Sequence, residues 1–150
     1  MSSLNLADAR RMIDAGIREA DRIGRPMNIA VVDDGGHLVA FVRMDGAIKA
    51  SIDISTRKAR TSVLMETPTS DLAGATQPGA ELYGLEHLSG GLVTFGGGIP
   101  VTRDGRVVGA VGVSAGSVEE DVTVATAAVA AVATHQEAQA EPLLSRTTSS

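Results

Sequence analysis

Two apolar stretches, each interrupted by an Asp-Gly pair, constrain the fold of this chain more than any other feature. They run from Met27 to Met44 (MNIAVVDDGGHLVAFVRM) and from Ile99 to Ala115 (IPVTRDGRVVGAVGVSA). Asp-Gly between β-branched runs favours a two-residue type I′ turn, because that turn needs positive φ, which glycine adopts without steric cost. The sequence therefore predicts two antiparallel β-hairpins.

The composition predicts one domain whose elements pack closely. The chain has 150 residues, of which 43% are hydrophobic, and this is enough for a single buried core. It contains two Phe, one Tyr and no Trp, so the core must consist of aliphatic side chains, Ala and Met. Helices and strands must then approach each other through small residues. We expect the domain to occupy residues 1–140 and a disordered tail to occupy residues 141–150.

Charge and cysteine content exclude several classes of protein. Thirteen basic and 18 acidic residues give a net charge of −5, without a basic run, which argues against a nucleic-acid partner. The absence of cysteine excludes disulfides, thiolate metal sites and a cysteine nucleophile. The first residues, MSSLNLADARR, do not resemble a signal peptide, and no apolar run reaches membrane-spanning length. We therefore expect a soluble cytoplasmic protein without a membrane partner.

Apolar periodicity predicts one helix before and one helix after the first hairpin. The first has Asn5 as its N-cap and ends at Gly24 and Pro26. Its apolar stripe consists of Leu6, Ala9, Ile13, Ile17, Ala20 and Ile23. The second runs from about Ala47 to Met65, with Asp53 and Arg57 spaced for an exposed ion pair. Its core-facing stripe consists of Ile48, Ile52, Ser55, Ala59, Ser62 and Val63.

The stretch from Glu66 to Gly98 is rich in glycine and proline and contains one short strand candidate, Leu92 to Phe95. Long irregular segments inside compact domains are usually functional or mobile. We expect this segment to form the roof of a pocket.

A last helix is predicted by the capping-box sequence Ser117-Val-Glu-Glu120. Residues 122–136 contain no Asp, Glu, Lys or Arg, and Val and Ala occur on all sides of the helix. A helix that is apolar all round needs cover all round, so we expect one face to pack on the sheet and the other on a neighbouring subunit. A central helix within the monomer, or an Ala-rich surface, would give the same pattern.

Five stretches of the chain together resemble the GlcG/HbpS family, which includes the carboxy-terminal domain of PduO-type proteins. They are IAVVDDGGHLVAFVRMDGA (29–47), KARTS (58–62), QPGAELYGLE (77–86), GGLVTFGGGIPV (90–101) and VVGAVGVSAGSVEEDVTVA (107–125). The resemblance implies an α+β fold with profilin-like layering, in which helices flank a central antiparallel sheet of about five strands. It also implies a homo-oligomer, a dimer that often assembles into an octamer.

The resemblance implies a small-molecule ligand without naming it. Some members of the family bind haem or act in tetrapyrrole and cobalamin pathways, others are linked to iron and redox sensing, and others to small-molecule chemistry. Haem is therefore a candidate cofactor, although function depends on the site more than on the scaffold.

The three histidines are candidate haem ligands because imidazole is a common axial ligand. His37 is predicted at a hairpin tip, and His135 near the end of the last helix, where a cationic ring suits the helix dipole. Only His87, beside Tyr83 in the irregular segment, is placed to face a cavity, and a hydrogen-bonded loop histidine is the alternative. The first helix, where some haem-binding relatives carry a histidine, has none. No spacing of histidines or carboxylates predicts a metal site.

A charged cluster at the end of the second predicted strand gives the clearest binding hypothesis. Arg43 and Asp45 lie there, and Lys58 lies on the following helix. Arg43 and Lys58 would hold a carboxylate, phenolate or propionate, and Ser55 belongs to a polar stripe that would line the same cavity. The alternative is that Arg43 pairs with Asp45 and that Asp45 caps the helix.

Two functions remain open on this basis. In the first, the protein binds a compact anionic ligand, such as a tetrapyrrole, beneath the glycine-rich segment. In the second, it is a cofactor-independent isomerase, lyase or hydrolase that acts on a small carbonyl, carboxylate or phenolic metabolite. Asp45 or Asp33 would then take a proton, while Arg43 and the amides of Gly97 and Gly98 stabilise an oxyanion.

The glycine triplet and the last helix complete the candidate site. Gly96-Gly97-Gly98 precedes a strand, whereas nucleotide-binding glycine loops precede a helix, so no nucleotide site is predicted. The triplet either presents N–H groups to an anion or makes a tight strand connection. Glu119-Glu120-Asp121 mainly satisfies the start of the last helix, and the family resemblance allows Asp121 to approach a neighbouring pocket.

Overall fold

A computed structural model describes residues 2–133, which form one antiparallel sheet flanked by helices on both faces. The strands are β1 (Asn28–Asp33), β2 (Leu38–Arg43), β3 (Gly98–Arg103) and β4 (Arg106–Ser114), in the order β2-β1-β4-β3. The helices are α1 (Leu6–Ile23), α2 (Ala50–Met65) and α3 (Val118–Ala130). The α+β class is confirmed, with four strands in place of the five expected.

The alternation of side chains along the strands builds a core on each face of the sheet. Ile29 and Val31 of β1 lie in the larger cluster, which includes Met12 of α1 and Val124 of α3. Val32 lies in the smaller cluster, among side chains of α2 and β4. Helices α1 and α3 therefore cover one face, and α2 covers the other.

Small residues allow α2 to lie almost directly on the sheet, as the composition predicted. A Cβ added at Gly112 of β4 would lie 1.9 Å from the carbonyl oxygen of Ser55. A Cβ added at Gly98 of β3 would lie 2.4 Å from the carbonyl oxygen of Lys58. Both distances are shorter than any real contact, so glycine is required at these positions for the helix to pack.

Both predicted hairpins form, but only the second has the predicted turn. Asp104 and Gly105 have φ of 50° and 75°, as a type I′ turn requires. In the first hairpin only Gly36 has positive φ, at 80°. The carboxylate of Asp33 accepts hydrogen bonds from the N–H groups of Gly35 and His37, and these bonds stabilise a longer loop. The prediction of a two-residue turn was wrong there.

The helix ends follow the sequence closely. Asn5 and Asp8 form a reciprocal capping box at the start of α1, and Gly24 ends it with φ of 71°. Ser117 and Glu120 form the predicted box at the start of α3. Helix α2 begins at Ala50, three residues later than expected. The predicted helical residues 134–136 and the predicted tail, 141–150, lie outside the described residues, and the packing of α3 on a second subunit stays a prediction.

The segment between α2 and β3 contains two short 3₁₀ helices, Thr69–Leu72 and Leu85–His87, and its strand candidate at Leu92–Phe95 is wrong. The N–H of Leu92 donates to the carbonyl of Glu86, and that of Val93 to the hydroxyl of Thr61. Since these backbone groups bond to a loop and to a helix side chain, the segment does not pair with the sheet. This accounts for the missing fifth strand.

Candidate functional site

A solvent-open cleft of about 530 Å³ lies between the C-terminal end of α1 and the end of β2. We refer to it as the α1–β2 cleft. Its position follows from the first hairpin, because Arg43 pairs in register with Asn28 and therefore lies beside the link from α1 to β1. The volume is within the usual range of small-molecule sites. The wall is apolar at Ile17, Ala20, Pro26, Val42 and Met44, and charged at Asp21, Arg25, Arg43 and Asp45.

The charged residues of the α1–β2 cleft are largely unpaired. Arg43, Asp45 and Asp21 are exposed, and none of their side chains makes a hydrogen bond or an ion pair within residues 2–133. Arg43 therefore does not pair with Asp45. Asp45 also does not cap α2, which begins at Ala50. The guanidinium of Arg43 is free to bind an acidic ligand group.

Lys58, the second predicted cation of the site, lies elsewhere. Its side chain is fully buried, and Nζ donates to Oδ2 of Asp121 and to the carbonyl oxygen of Val113, each at 2.9 Å. The ring centroid of Phe95 lies 4.9 Å from Nζ. Burial lowers the pKa of Lys58 and raises the pKa of Asp121. The structure joins Lys58 with Asp121, as an internal ion pair, and not with Arg43 in the cleft.

Gly97 packs against this internal pair, and Gly98 and Ser55 lie in the contact between α2 and the sheet. A Cβ added at Gly97 would lie 2.5 Å from Nζ of Lys58. The N–H of Gly98 donates to the hydroxyl of Thr69 at 2.9 Å, so this amide is already engaged. The hydroxyl of Ser55 donates to a carbonyl of its own helix at 3.0 Å. These residues make a tight connection between α2 and the sheet, and they do not line the α1–β2 cleft.

The remaining predicted residues are also distant from Arg43 or absent from the cleft lining. Asp33 lies five residues along β1 from the partner of Arg43, which corresponds to about 16 Å. His37 is exposed at the hairpin tip. The side chain of His87 is 82% exposed, with Nε2 3.9 Å from a carboxylate oxygen of Glu86. Tyr83 is 66% exposed. His135 lies outside the described residues.

No motif in the sequence marks Asp21 and Arg25 as site residues. The available signal was the end of α1, because Arg25 lies between the helix-ending residues Gly24 and Pro26. The chain turns there into β1, whose first residue pairs with Arg43. The end of a helix and the end of a neighbouring strand thus share one edge of the fold.

Within residues 2–133, His, Asp and Glu form no group of three or more that could hold a metal ion. None of the helices described has both the length and the apolar character needed to cross a bilayer.

Sequence comparison connects the chain with haem-related and corrinoid-related proteins. The family model described as "Haem degrading protein HbpS-like" matches residues 4–130. The corrinoid adenosyltransferase PduO of Citrobacter freundii is 42% identical over 137 residues, covering 89% of this chain but only 41% of that protein. The chain thus spans less than half the length of this relative. Protein GlcG of Escherichia coli (strain K12) is 40% identical over 106 residues, covering 71% of this chain and 77% of GlcG.

Solved structures give the same assignment. The Klebsiella pneumoniae protein ORFY is 36% identical, with a TM-score of 0.86 and 94% of both chains covered. A PduOC complex with haem is 40% identical, with a TM-score of 0.83, covering 87% of this chain and 95% of that one. The matched residues include both hairpins and all three helices of the described fold. By its sequence and its fold, the chain belongs to the GlcG/HbpS family.

Proposed function

We propose that this protein binds haem or a related tetrapyrrole carboxylate in the α1–β2 cleft, with Arg43 holding an acidic group of the ligand. The observation that carries the proposal is a guanidinium that has no partner within the described residues and lies in a cleft that also offers apolar side chains. An amphipathic anion complements both features, because its acidic group can bind the guanidinium and its apolar part can contact the apolar wall. The 40% identity to a PduOC chain that was solved with haem supports the choice of a tetrapyrrole.

The cleft residues fit the ring and the carboxylates of such a ligand. Ile17, Val42 and Met44 offer an apolar surface for the ring, and the Arg43 guanidinium offers paired N–H donors for a carboxylate. The thioether of Met44 already accepts the N–H of Met27, with 3.4 Å between N and Sδ. Because this sulfur atom is already engaged, we attribute the affinity for the ligand to packing of the ring and to binding of its carboxylates. Haem would add a redox-active iron to the cleft.

The test is a titration with hemin followed by Soret absorbance, on the unmodified protein and on two variants. We expect saturation at one equivalent and a loss of affinity of about tenfold or more in Arg43→Gln. Arg10→Gln removes the same charge from an exposed position near the start of α1, 11 residues before Asp21 and about 16 Å along the helix, and should change nothing. Unsaturable binding, or equal affinity in Arg43→Gln, would overturn the proposal.

A cofactor-independent enzyme is the second candidate, because Asp45 and Arg43 line the same cleft without pairing. Asp45 would take a proton from a small carbonyl, carboxylate or phenolic substrate, and Arg43 would stabilise the oxyanion. Asp33 lies at the other end of β1 and the Gly98 amide is engaged, so neither supports this reaction. Proton exchange in D₂O on a panel of such compounds is the test. Exchange should fall at least about 100-fold in Asp45→Asn and be retained in Asp14→Asn, an exposed control. No exchange by the unmodified protein would contradict this candidate.

Homo-oligomerisation and a cytoplasmic location also belong to the proposal. Val118 of α3 and Phe95 are 48% and 43% exposed. Gly96, the neighbour of Phe95, packs against Val118, so the two apolar side chains lie close together on a surface suited to a second copy. Light scattering of the unmodified protein should give a dimer or an octamer, and Val118→Asp should shift it toward monomer. A monomer at micromolar concentration would contradict the assembly.

A further inference from the structure

The α1–β2 cleft contains a second arginine whose donors are largely free. Arg25 follows the end of α1, while Arg43 ends β2, so the two residues approach the cleft from different elements. Within residues 2–133, only Nε of Arg25 has a partner, Glu120, whose carboxylate oxygens lie at 3.3 and 3.5 Å. The two terminal nitrogens of Arg25 make no hydrogen bond within the described part of the chain. The cleft thus offers donors for two acidic groups.

The partner of Arg25 is held in place by the start of α3. An Oε1 atom of Glu120 accepts the N–H of Ser117 at 2.9 Å, and the hydroxyl of Ser117 accepts the N–H of Glu120 at 3.1 Å. The next residue, Asp121, is fixed in the buried pair with Lys58. The capping box therefore holds the carboxylate of Glu120 beside Nε of Arg25.

The Arg25–Glu120 pair is weak enough for a ligand to compete with it. The two side chains are 50% and 30% exposed, and exposed ion pairs contribute little because water screens them. A ligand carboxylate can use the free terminal nitrogens of Arg25 while Nε keeps its contact with Glu120. Asp21 and Asp45 line the same cleft, and their negative charges disfavour an acidic group unless a guanidinium offsets them.

Building on the proposed function, we infer that the cleft selects ligands with two acidic groups, one bound by Arg43 and the other by Arg25. Glu120 is a positioning residue that orients Arg25 and, by its charge, limits the affinity of the second group. Tetrapyrroles with two carboxylate side chains belong to this class. Their monoesters and diesters retain the ring but lose one or both acidic groups.

The inference is tested with metal-free protoporphyrin IX, its monomethyl ester and its dimethyl ester, each followed by fluorescence titration. Iron is absent, so axial ligation makes no contribution. For the unmodified protein we expect affinity to fall about tenfold or more at each esterification. In Arg25→Gln the diacid should bind no more tightly than the monoester, so their affinity ratio should approach one.

The variant Glu120→Gln separates the effect of the Glu120 charge from that of the capping box at the start of α3. Glutamine preserves the capping box, since its side-chain oxygen can accept the same N–H, but it removes the negative charge behind Arg25. We expect tighter binding of the diacid, by severalfold, and unchanged binding of the dimethyl ester. Glu119→Gln makes the same charge change at the neighbouring exposed residue, which does not contact Arg25, and should leave the diacid affinity unchanged.

The outcomes distinguish this inference from the proposed function. If Arg43→Gln weakens binding but Arg25→Gln keeps the full preference for the diacid over the monoester, the two-arginine inference is overturned while the proposed function stands. If Glu120→Gln and Glu119→Gln have equal effects, the role of Glu120 is overturned. If the unmodified protein shows no saturable porphyrin binding, both the inference and the proposed function fail.

Discussion

Lys58 and Asp121 form an ion pair of 2.9 Å in the interior, with side-chain exposures of 0% and 3%. The pair joins the middle of α2 to the first turn of α3 around the end of β4, where Nζ also binds the carbonyl of Val113. Asp121 in turn accepts the N–H of Gly116 at 2.9 Å. Because burial disfavours both charges, each residue depends on the other to remain ionised.

We predict that Lys58→Met lowers the free energy of unfolding by about 3–5 kcal/mol, because it leaves a buried carboxylate without a counter-charge. Urea denaturation provides the measurement. Lys49→Met, at the other lysine of the chain, is the exposed control and should stay within about 0.5 kcal/mol of the unmodified protein. The double variant Lys58→Met/Asp121→Leu removes both charges and should recover much of the loss. A double variant no more stable than Lys58→Met would show that the loss does not come from an unpaired charge.

Gly112→Ala should destabilise the fold by about 3 kcal/mol or prevent folding. The added methyl group would overlap the backbone of α2, with the Ser55 oxygen 1.9 Å and the Ala59 nitrogen 2.6 Å away, and a backbone cannot rotate aside. Gly74→Ala is the matched control, because no atom lies within 4 Å of its added Cβ. It should be neutral or slightly stabilising in thermal unfolding. Equal melting temperatures for the two variants would contradict the close packing of α2 on β4.

Asp8 should make stability depend on acid pH. Burial alone would raise the pKa of Asp8, but the Asn5 N–H and the guanidinium groups of Arg103 and Arg11 lower it below its ordinary value of 3.8. A carboxyl group with a lowered folded-state pKa stabilises the fold above its unfolded-state pKa, and this contribution is lost as the pH falls through the folded-state value.

Asp8→Asn should therefore cost about 1.5–3 kcal/mol of unfolding free energy at pH 7, the usual contribution of hydrogen bonds to a charged group. The difference from the unmodified protein should shrink as the pH falls below about 4. Urea titrations between pH 7 and pH 2.5 would measure it. Asp14→Asn, at an exposed position of the same helix, should follow the unmodified curve. A difference that stays constant with pH would exclude titration of Asp8 as the cause.

His87→Ala should leave hemin affinity unchanged. The imidazole is 82% exposed, and His87 does not line the α1–β2 cleft, whereas imidazole is the side chain most often assigned to haem iron. Soret titration of His87→Ala beside Arg43→Gln would separate the two regions. A variant that loses the Soret shift would place the iron at the 3₁₀ helix that contains His87 and contradict the cleft assignment.

The candidate site was predictable where it depends on local order in the chain. Arg43 and Asp45 follow directly from the end of a strand. Asn5 and Ser117 mark helix starts because their side chains accept a backbone N–H, and Gly24 marks a helix end because it adopts positive φ. Lys58 was associated with the wrong partner, because a helical stripe identifies which residues share a face but not which element that face meets. The position of Arg25 in the cleft was not predicted, because it depends on the pairing of β1 with β2, which brings Arg43 to the same cleft.

The sequence by itself determined the elements and the family. Periodicity, caps and Asp-Gly turns act over a few residues, and the spacing of apolar side chains is sufficient to predict three helices and two hairpins. Only the tertiary structure decided that Lys58 is buried against Asp121 while Arg43 faces a cleft with Arg25. Burial and counter-charge arise from residues distant in the chain, such as positions 58 and 121, and no local pattern encodes which of them meet.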